Sequence, residues 1–213
     1  GCSLYIRPFM FASEELLGVR PADEYKFMIF TSPVGGYYSG EVHVKIETEY
    51  TRAAEGGVGY AKAAGNYAAS LYPAKLGQDA GYRQLIWTDA KTHEYIEEAG
   101  TMNIMFHIGD TLITPHLDLK TTLAGITRDS VLTIARELGV KVEERKVSVK
   151  EVVAAAKNGT LKDVFGCGTA ATITQVSSIT YEDDRIELPA LAERTLSIEI
   201  GQVLQDLKRG QIE

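Results

Sequence analysis

Residues 56–67 read Gly56-Gly57-Val58-Gly59-Tyr60-Ala61-Lys62-Ala63-Ala64-Gly65-Asn66-Tyr67. Small residues surround Lys62, and no acidic residue follows it within four positions. Glycines let the backbone approach a ligand closely, and a lysine placed there can lose solvent, lower its pKa and act as an amine nucleophile. The alternative is a glycine turn that happens to contain a lysine. The local sequence leaves both interpretations open.

Around this loop, the apolar pattern predicts one mixed α/β domain. Strands are expected at 4–10, 25–30 (buried), 42–46, 84–88, 95–98, 103–108 and 111–114, with a turn at 32–36. Helices are expected at 65–76, with a kink at Pro73 and an end at Gly77, and at 127–138, 148–159 and 193–209. The third helix opens with a capping box from Ser148 to Glu151, and two short strands separate it from the last helix.

The composition narrows the class of protein. The 213 residues, 45% of them apolar, suit one large domain or two small ones. The net charge of 22 − 29 = −7 disfavours a nucleic-acid or anionic-membrane surface, because either needs a basic patch. Cys2 and Cys167 lie far apart and predict two reduced thiols in a cytoplasmic protein. The sequence has no signal peptide and no apolar run of membrane length.

Three segments look like anion-binding sites. Residues 123–128 form a glycine turn that runs into a helix start, where free backbone N–H groups and the helix dipole point at one spot. Residues 166–169 offer further amides and a hydroxyl, and Arg52 offers a guanidinium. Taken singly, each segment is better explained as a capped helix, a turn or a surface arginine. The glycine loops match no nucleotide-binding motif, which disfavours a mononucleotide or dinucleotide ligand and leaves a small phosphorylated ligand open.

Two acidic residues, Glu97 and Glu98, end a predicted strand and precede a small-residue turn. Strand alternation would let one carboxylate face inward, where it needs a cation or a proton. The alternative is a solvated pair of glutamates. The four histidines lack metal-ligand spacing, and neither a zinc-protease nor a serine-hydrolase motif occurs, so metal catalysis and a Ser-His-Asp site are not expected.

Five blocks occur in an order that resembles the branched-chain amino acid aminotransferases. They are Tyr5-Ile6-Arg7-Pro8, residues 57–62 with Gly65-Asn66-Tyr67, residues 98–103, residues 123–128 and residues 165–170. These proteins are pyridoxal 5'-phosphate enzymes of fold type IV, related to D-amino acid aminotransferases and aminodeoxychorismate lyases. The resemblance covers nearly the whole chain. It implies the large domain of that fold, with a strand-rich core flanked by helices.

The resemblance also implies roles for individual residues. Lys62 would be the catalytic Schiff-base lysine, Glu98 would face the pyridine nitrogen, and Tyr67 would hydrogen-bond the ring 3-hydroxyl. The phosphate would be held by Arg52, Thr169 and the backbone amides of Ile126 and Thr127. Substrate contacts would come from Thr101, Ala170, Tyr5 and Arg7. Cys167 would be a spectator in the phosphate turn, and no metal is implied.

The implied reaction is transamination between leucine, isoleucine or valine and 2-oxoglutarate, by a cytoplasmic homodimer with small-molecule partners and no nucleic-acid or membrane partner. The alternatives are a fold type IV lyase, a D-amino acid aminotransferase or a non-catalytic domain. The chain begins without Met in a strand-like run. We therefore expect residues 1–213 to be one large cofactor-binding domain of a longer protein whose N-terminal small domain is absent, and expect little activity from this piece alone.

Overall fold

The structure is a computed structural model that describes residues 3–35 and 41–212. The chain divides into two compact units, Gly1–Ser39 and Gly40–Glu213. The mixed α/β class predicted from the apolar pattern is confirmed, because the second unit combines two sheets with four α-helices among its described residues.

The first unit is a β-hairpin. Strand β1 (Ser3–Ala12) pairs antiparallel with β2 (Tyr25–Val34), in a register that runs from Ser3 opposite Val34 to Ala12 opposite Tyr25. The prediction that residues 25–30 are a buried strand is right about the strand and wrong about burial, since Phe27 is 64% exposed. A continuous apolar run does not by itself say which side chains another layer covers. The turn expected at 32–36 is wrong for residues 32–34, because β2 continues through Val34. Gly36 lies outside the described residues.

The second unit contains a six-stranded and a five-stranded sheet. The strands in chain order are β3 (His43–Ile46), β4 (Gln84–Thr88), β5 (Tyr95–Ala99), β6 (Asn103–Ile108), β7 (Thr111–Pro115), β8 (Lys141–Arg145), β9 (Val147–Ser148), β10 (Leu161–Gly168), β11 (Thr172–Gln175), β12 (Ser178–Tyr181) and β13 (Asp184–Glu187). The six-stranded order is β13-β12-β3-β4-β5-β9, and the five-stranded order is β11-β10-β6-β7-β8. Strand β8 was not predicted, and residues 172–187 form three strands where two were expected.

Strand β6 shows how the layers pack. Ile104 and Phe106 join a core cluster with Val44 and Ile86 of the other sheet, so the two sheets bury these faces against each other. Met105 points the opposite way, into a second cluster formed with helices α2 (Ile126–Glu137) and α4 (Leu196–Lys208). Side chains alternate along a strand, so a strand buried on both faces must be apolar throughout. The five-stranded sheet therefore lies between the six-stranded sheet and these two helices.

The remaining helices are α1 (Ala64–Asp79) and α3 (Val149–Lys157). One half of the capping box is confirmed, because Ser148 Oγ accepts the Glu151 N–H at 3.0 Å, whereas the Glu151 carboxylate pairs with Arg145. The predicted end of α1 at Gly77 is wrong, since the helix runs through Pro73 and Gly77 to Asp79. Gly77 is there for packing: a Cβ on it would lie 2.9 Å from Leu85 Cδ2 of β4.

Candidate active site

One pocket of the second unit gathers five of the residues singled out from the sequence: Arg52, Lys62, Tyr67, Glu98 and Thr101. Its other lining residues are Gly59, Ala61, Asn66, Ser70, Gly100 and Leu123. The pocket combines an amine, a guanidinium, a phenol and a carboxyl group. Such a donor set can bind an anion and move a proton.

The Lys62 loop is held in shape by Asn66 at the start of α1. Its Nδ2 donates to the carbonyl oxygens of Val58 and Ala61, each at 2.8 Å. Lys62 Nζ donates to Tyr67 Oη and lies 5.0 Å from the centroid of that ring. The expectation that Lys62 is shielded from solvent is not met, because its side chain is exposed in this structure. The loop thus presents a free amine at the mouth of the pocket, next to a phenol.

Gly59 is the glycine that the close approach requires. A Cβ there would lie 2.5 Å from the Thr121 carbonyl oxygen and 2.7 Å from Ala53 Cβ. Both neighbours belong to rigid parts of their residues, so neither can turn aside as a long side chain would. The loop therefore packs its backbone directly against residue 121.

We expect Gly59→Ala to lower the free energy of unfolding by about 1–3 kcal/mol, the usual cost of overpacking. Urea unfolding of the variant and the wild type would measure the change. Gly65→Ala is the matched control, because a Cβ there meets nothing within 4 Å and its φ is not positive. It should be neutral or stabilise helix α1 by up to about 1 kcal/mol. Equal stabilities of the two variants would contradict the close approach.

Glu98 is the buried carboxyl group of the pocket. Its Oε1 accepts the Leu123 N–H at 2.6 Å and Asn103 Nδ2 at 3.5 Å, and its Oε2 lies 3.1 Å from Arg52 Nη2. Burial raises the pKa of Glu98 to about 7, against the opposing effects of Arg52, the Leu123 N–H and Lys62. A further cation in the pocket would hold this carboxyl ionised.

The adjacent Glu97 is buried as well. Only 5% of Glu97 and 4% of Glu98 are exposed, so both the solvated pair and the one-in, one-out arrangement are wrong. A register shift in the β4–β5 ladder breaks the strict alternation of side chains at this point. Burial also raises the pKa of Glu97 to about 7.

Of the predicted anion-binding groups, Arg52 and Leu123 line the pocket, and the rest of segments 123–128 and 166–169 lies outside its lining, near Asn103. Asn103 Nδ2 donates to the Leu123 carbonyl at 2.9 Å, and a Cβ on Gly125, the residue before α2, would lie 2.2 Å from Asn103 Oδ1. Asn103 also pairs with Cys167 between β6 and β10. The start of α2, with Ile126 and Thr127, and the end of β10, followed by Thr169 and Ala170, are therefore both anchored at this residue.

Residues 166–168 are strand rather than the turn that the sequence suggested. Cys167 packs among apolar side chains there, and burial raises the pKa of its thiol to about 12. A thiol with so high a pKa is a poor nucleophile, in keeping with a packing role. Cys2 lies outside the described residues.

Tyr5 and Arg7 belong to the hairpin unit. Both lie on β1, where Arg7 Nη2 donates to Tyr5 Oη at 2.7 Å. Their expected part in substrate binding stays a prediction.

Sequence reasoning gave no role to Asn66, Asn103, Thr121 or Glu97. The two asparagines stood inside the quoted motifs and could have been singled out as buried amides that join loops to strands. Thr121 had no signal, because its carbonyl meets Gly59 and its side chain meets Glu97 only in the folded chain. Within residues 3–35 and 41–212, no three His, Cys, Asp or Glu side chains cluster as metal ligands would, and no helix has the length and apolarity to cross a bilayer.

Comparisons with known proteins agree on one family. A family model described as "Amino-transferase class IV" matches residues 2–179. A Staphylococcus epidermidis protein named probable branched-chain-amino-acid aminotransferase is 48% identical over 190 residues, which are 87% of this chain and 53% of that protein. Branched-chain-amino-acid transaminase 1 of Bacillus subtilis is 42% identical over an alignment of 216 positions, which covers all of this chain and 60% of that protein. The chain thus spans little more than half the length of these relatives.

Solved structures give the same result. The branched-chain amino acid aminotransferase of Escherichia coli matches with a TM-score of 0.83 and 30% identity, over 99% of this chain and 67% of that one. The enzyme of Thermoproteus uzoniensis, solved with norvaline, matches with a TM-score of 0.84 and 26% identity, over 99% and 66%. The expected fold is therefore confirmed.

Proposed function

The chain belongs to the class IV aminotransferases, which are pyridoxal-phosphate enzymes, and on that premise we propose that its protein exchanges amino groups between leucine, isoleucine or valine and 2-oxoglutarate. The products would be the branched-chain 2-oxo acids and glutamate. The observation that carries the proposal is the pocket in which Lys62, Tyr67, Glu98 and Arg52 meet. The names of the B. subtilis and E. coli relatives support the substrate class.

The pocket suits pyridoxal 5'-phosphate. Glu98 is a buried carboxyl group with a pKa near 7, so it gains from a cation such as a protonated ring nitrogen. Arg52 Nε has no hydrogen-bond partner among the described residues, so the guanidinium keeps a donor for an anion. When bound, the cofactor supplies an electron sink for the carbon that loses its proton.

Lys62 and Tyr67, at the mouth of the pocket, would hold the cofactor and move the substrate proton. Lys62 Nζ would hold the cofactor and, once the substrate amine takes its place, would accept and return a proton. Tyr67, whose hydroxyl contacts Lys62 Nζ, would orient that amine and hydrogen-bond the ring hydroxyl. Exposure of Lys62 leaves the amine open to an incoming carbonyl group.

The phosphate would be bound by Arg52, Thr169 and the amides of Ile126 and Thr127. The helix start supplies N–H groups that no residue of the first turn can satisfy, and its dipole favours an anion. Arg52 pairs with Glu98 in the structure, so one guanidinium would serve both the carboxyl and the phosphate. We propose that Thr101 and Ala170 contact the substrate carboxylate, and that Tyr5 and Arg7 line the pocket for the substrate side chain. We also propose that the whole protein is a cytoplasmic homodimer.

A transamination assay tests the proposal. The protein that carries this chain, supplied with pyridoxal phosphate, should form glutamate from 2-oxoglutarate with leucine, isoleucine or valine. D-alanine as amino donor tests for a D-amino acid aminotransferase, and release of pyruvate from aminodeoxychorismate tests for a lyase. Activity only in one of the last two assays would replace the branched-chain assignment by that reaction.

A further inference from the structure

A β-bulge in the β4–β5 ladder determines the position of Glu97. Trp87 of β4 lies opposite Glu98 of β5, whereas Thr88 lies opposite Ile96, so Glu97 is an extra residue with no partner across the ladder. Bulges often redirect side chains beside active sites. This one buries a second carboxyl group next to Glu98, close enough for the charge of Arg52 to act on both.

The buried charges do not balance if both carboxyl groups are ionised. The Arg52 side chain is 8% exposed and pairs with Glu98 at 3.1 Å. Among the described residues, neither Glu97 Oε2 nor Arg52 Nε has a hydrogen-bond partner. A buried carboxylate without a counter-charge is costly, so one guanidinium leaves one of the two carboxyl groups protonated. The charge of Arg52 acts on both carboxyl groups, so the two compete for one cation.

The neighbouring groups favour protonation of Glu97 over protonation of Glu98. Glu98 receives the Leu123 N–H and the Arg52 guanidinium and faces Lys62, all of which stabilise its charged form. Burial raises the pKa of Glu97, and the negative charges of Asp89 and Glu98 raise it further. Hydrogen bonding by Thr121 and the charge of Arg52 oppose that rise.

We propose that Glu97 is a positioning residue that stays protonated, so that Glu98 carries the negative charge and Arg52 stays available to an anionic group of the ligand. The inference rests on the proposed function only in taking the ligand to be pyridoxal phosphate. Ionisation of Glu97 would cancel one of the positive charges that Arg52 and Lys62 bring to the pocket.

The consequence is a pH-dependent affinity for phosphate. Burial raises the pKa of Glu97 to about 7, so the residue loses its proton above that pH, while the cofactor phosphate is already a dianion. The ratio of the affinities for pyridoxal phosphate and pyridoxal isolates the phosphate contribution, because Lys62 meets both ligands alike. One full added charge at several ångströms corresponds to about fivefold. Because Glu97 is already about half ionised at pH 7, the ratio should fall about threefold from pH 7 to pH 9 in the wild type.

Glu97→Gln replaces the protonated acid by a neutral side chain of the same shape. Its ratio should stay constant with pH, above the wild-type value at pH 7, whereas the ratio of the control Glu94→Gln, an exposed acid on the same segment, should fall like that of the wild type. Glu97→Asp retains the acid and should restore the fall. A ratio that falls equally in Glu97→Gln and wild type, or a flat ratio in the wild type, would overturn the proposal.

Unfolding of the cofactor-free protein gives a readout that does not depend on the ligand. A carboxyl pKa raised on folding contributes stability that is present at low pH and lost as the pH rises from about 4.5 to about 7. Glu97→Gln should reduce this loss, and Glu94→Gln should not. If the wild type bound no pyridoxal phosphate at any pH, the proposed function would fail, while the unfolding curves would still decide whether Glu97 holds a proton.

Discussion

Replacing Lys62 by alanine is expected to abolish attachment of pyridoxal phosphate and to lower transamination at least about 1,000-fold. The variant loses both the amine that holds the cofactor and the group that moves the substrate proton, and a positioned acid–base group alone contributes roughly 100- to 10,000-fold. Borohydride reduction followed by peptide mapping measures the attachment, and glutamate formation measures the turnover. The wild type should carry the reduced cofactor on Lys62.

The matched control is Lys91→Ala. Lys91 pairs with Glu55 at 2.8 Å, and its side chain is 70% exposed. An exposed pair of this kind contributes at most about 1 kcal/mol, so this variant should keep both attachment and turnover. Labelling of another lysine in the wild type, or full turnover by Lys62→Ala, would refute the assignment of Lys62.

The largest effect on stability is expected from Arg194→Ala. The side chains of Arg194 and Asp163 are both 1% exposed, and Nη1 of the arginine lies 3.4 Å from the carboxylate oxygen Oδ1. The guanidinium also donates to the Val176 and Pro189 carbonyl oxygens, at 2.6 and 2.8 Å. Its removal leaves Asp163 as a buried charge without a cation, which costs about 3–5 kcal/mol. We expect the free energy of unfolding in urea to fall by that amount.

Two features of this pair link it to the active site. Asp163 Oδ2 accepts the Ser197 N–H at the start of α4, so the ion pair joins β10 to that helix. Helix α4 in turn packs with β10 and with α2, the helix whose first residues are the predicted phosphate ligands Ile126 and Thr127. As a control, Arg185→Ala breaks the Arg185–Glu187 pair, whose side chains are 51% and 63% exposed, and should cost less than about 1 kcal/mol. A similar loss in both variants would contradict the role of burial.

Local sequence was a good guide wherever structure depends on neighbours along the chain. The Ser148 N-cap starts α3 as predicted, because the donor and acceptor are three residues apart. The alternation of Val42, Val44 and Ile46 with His43 and Lys45 correctly placed a half-buried strand. Where a distant partner decided the outcome, local rules failed: Gly77 reads as a helix end but packs against Leu85 inside the helix.

The candidate site divides in the same way. Sequence alone determined that a lysine stands on a glycine-rich loop before a helix, that a glycine turn opens α2, and that two glutamates end a strand, since these are properties of adjacent residues. Only the tertiary structure decided that both glutamates are buried, that Arg52 pairs with Glu98, and that Asn103 joins three segments. Burial and charge pairing arise from segments far apart in the chain, and their energies depend on solvent exclusion that no local pattern encodes.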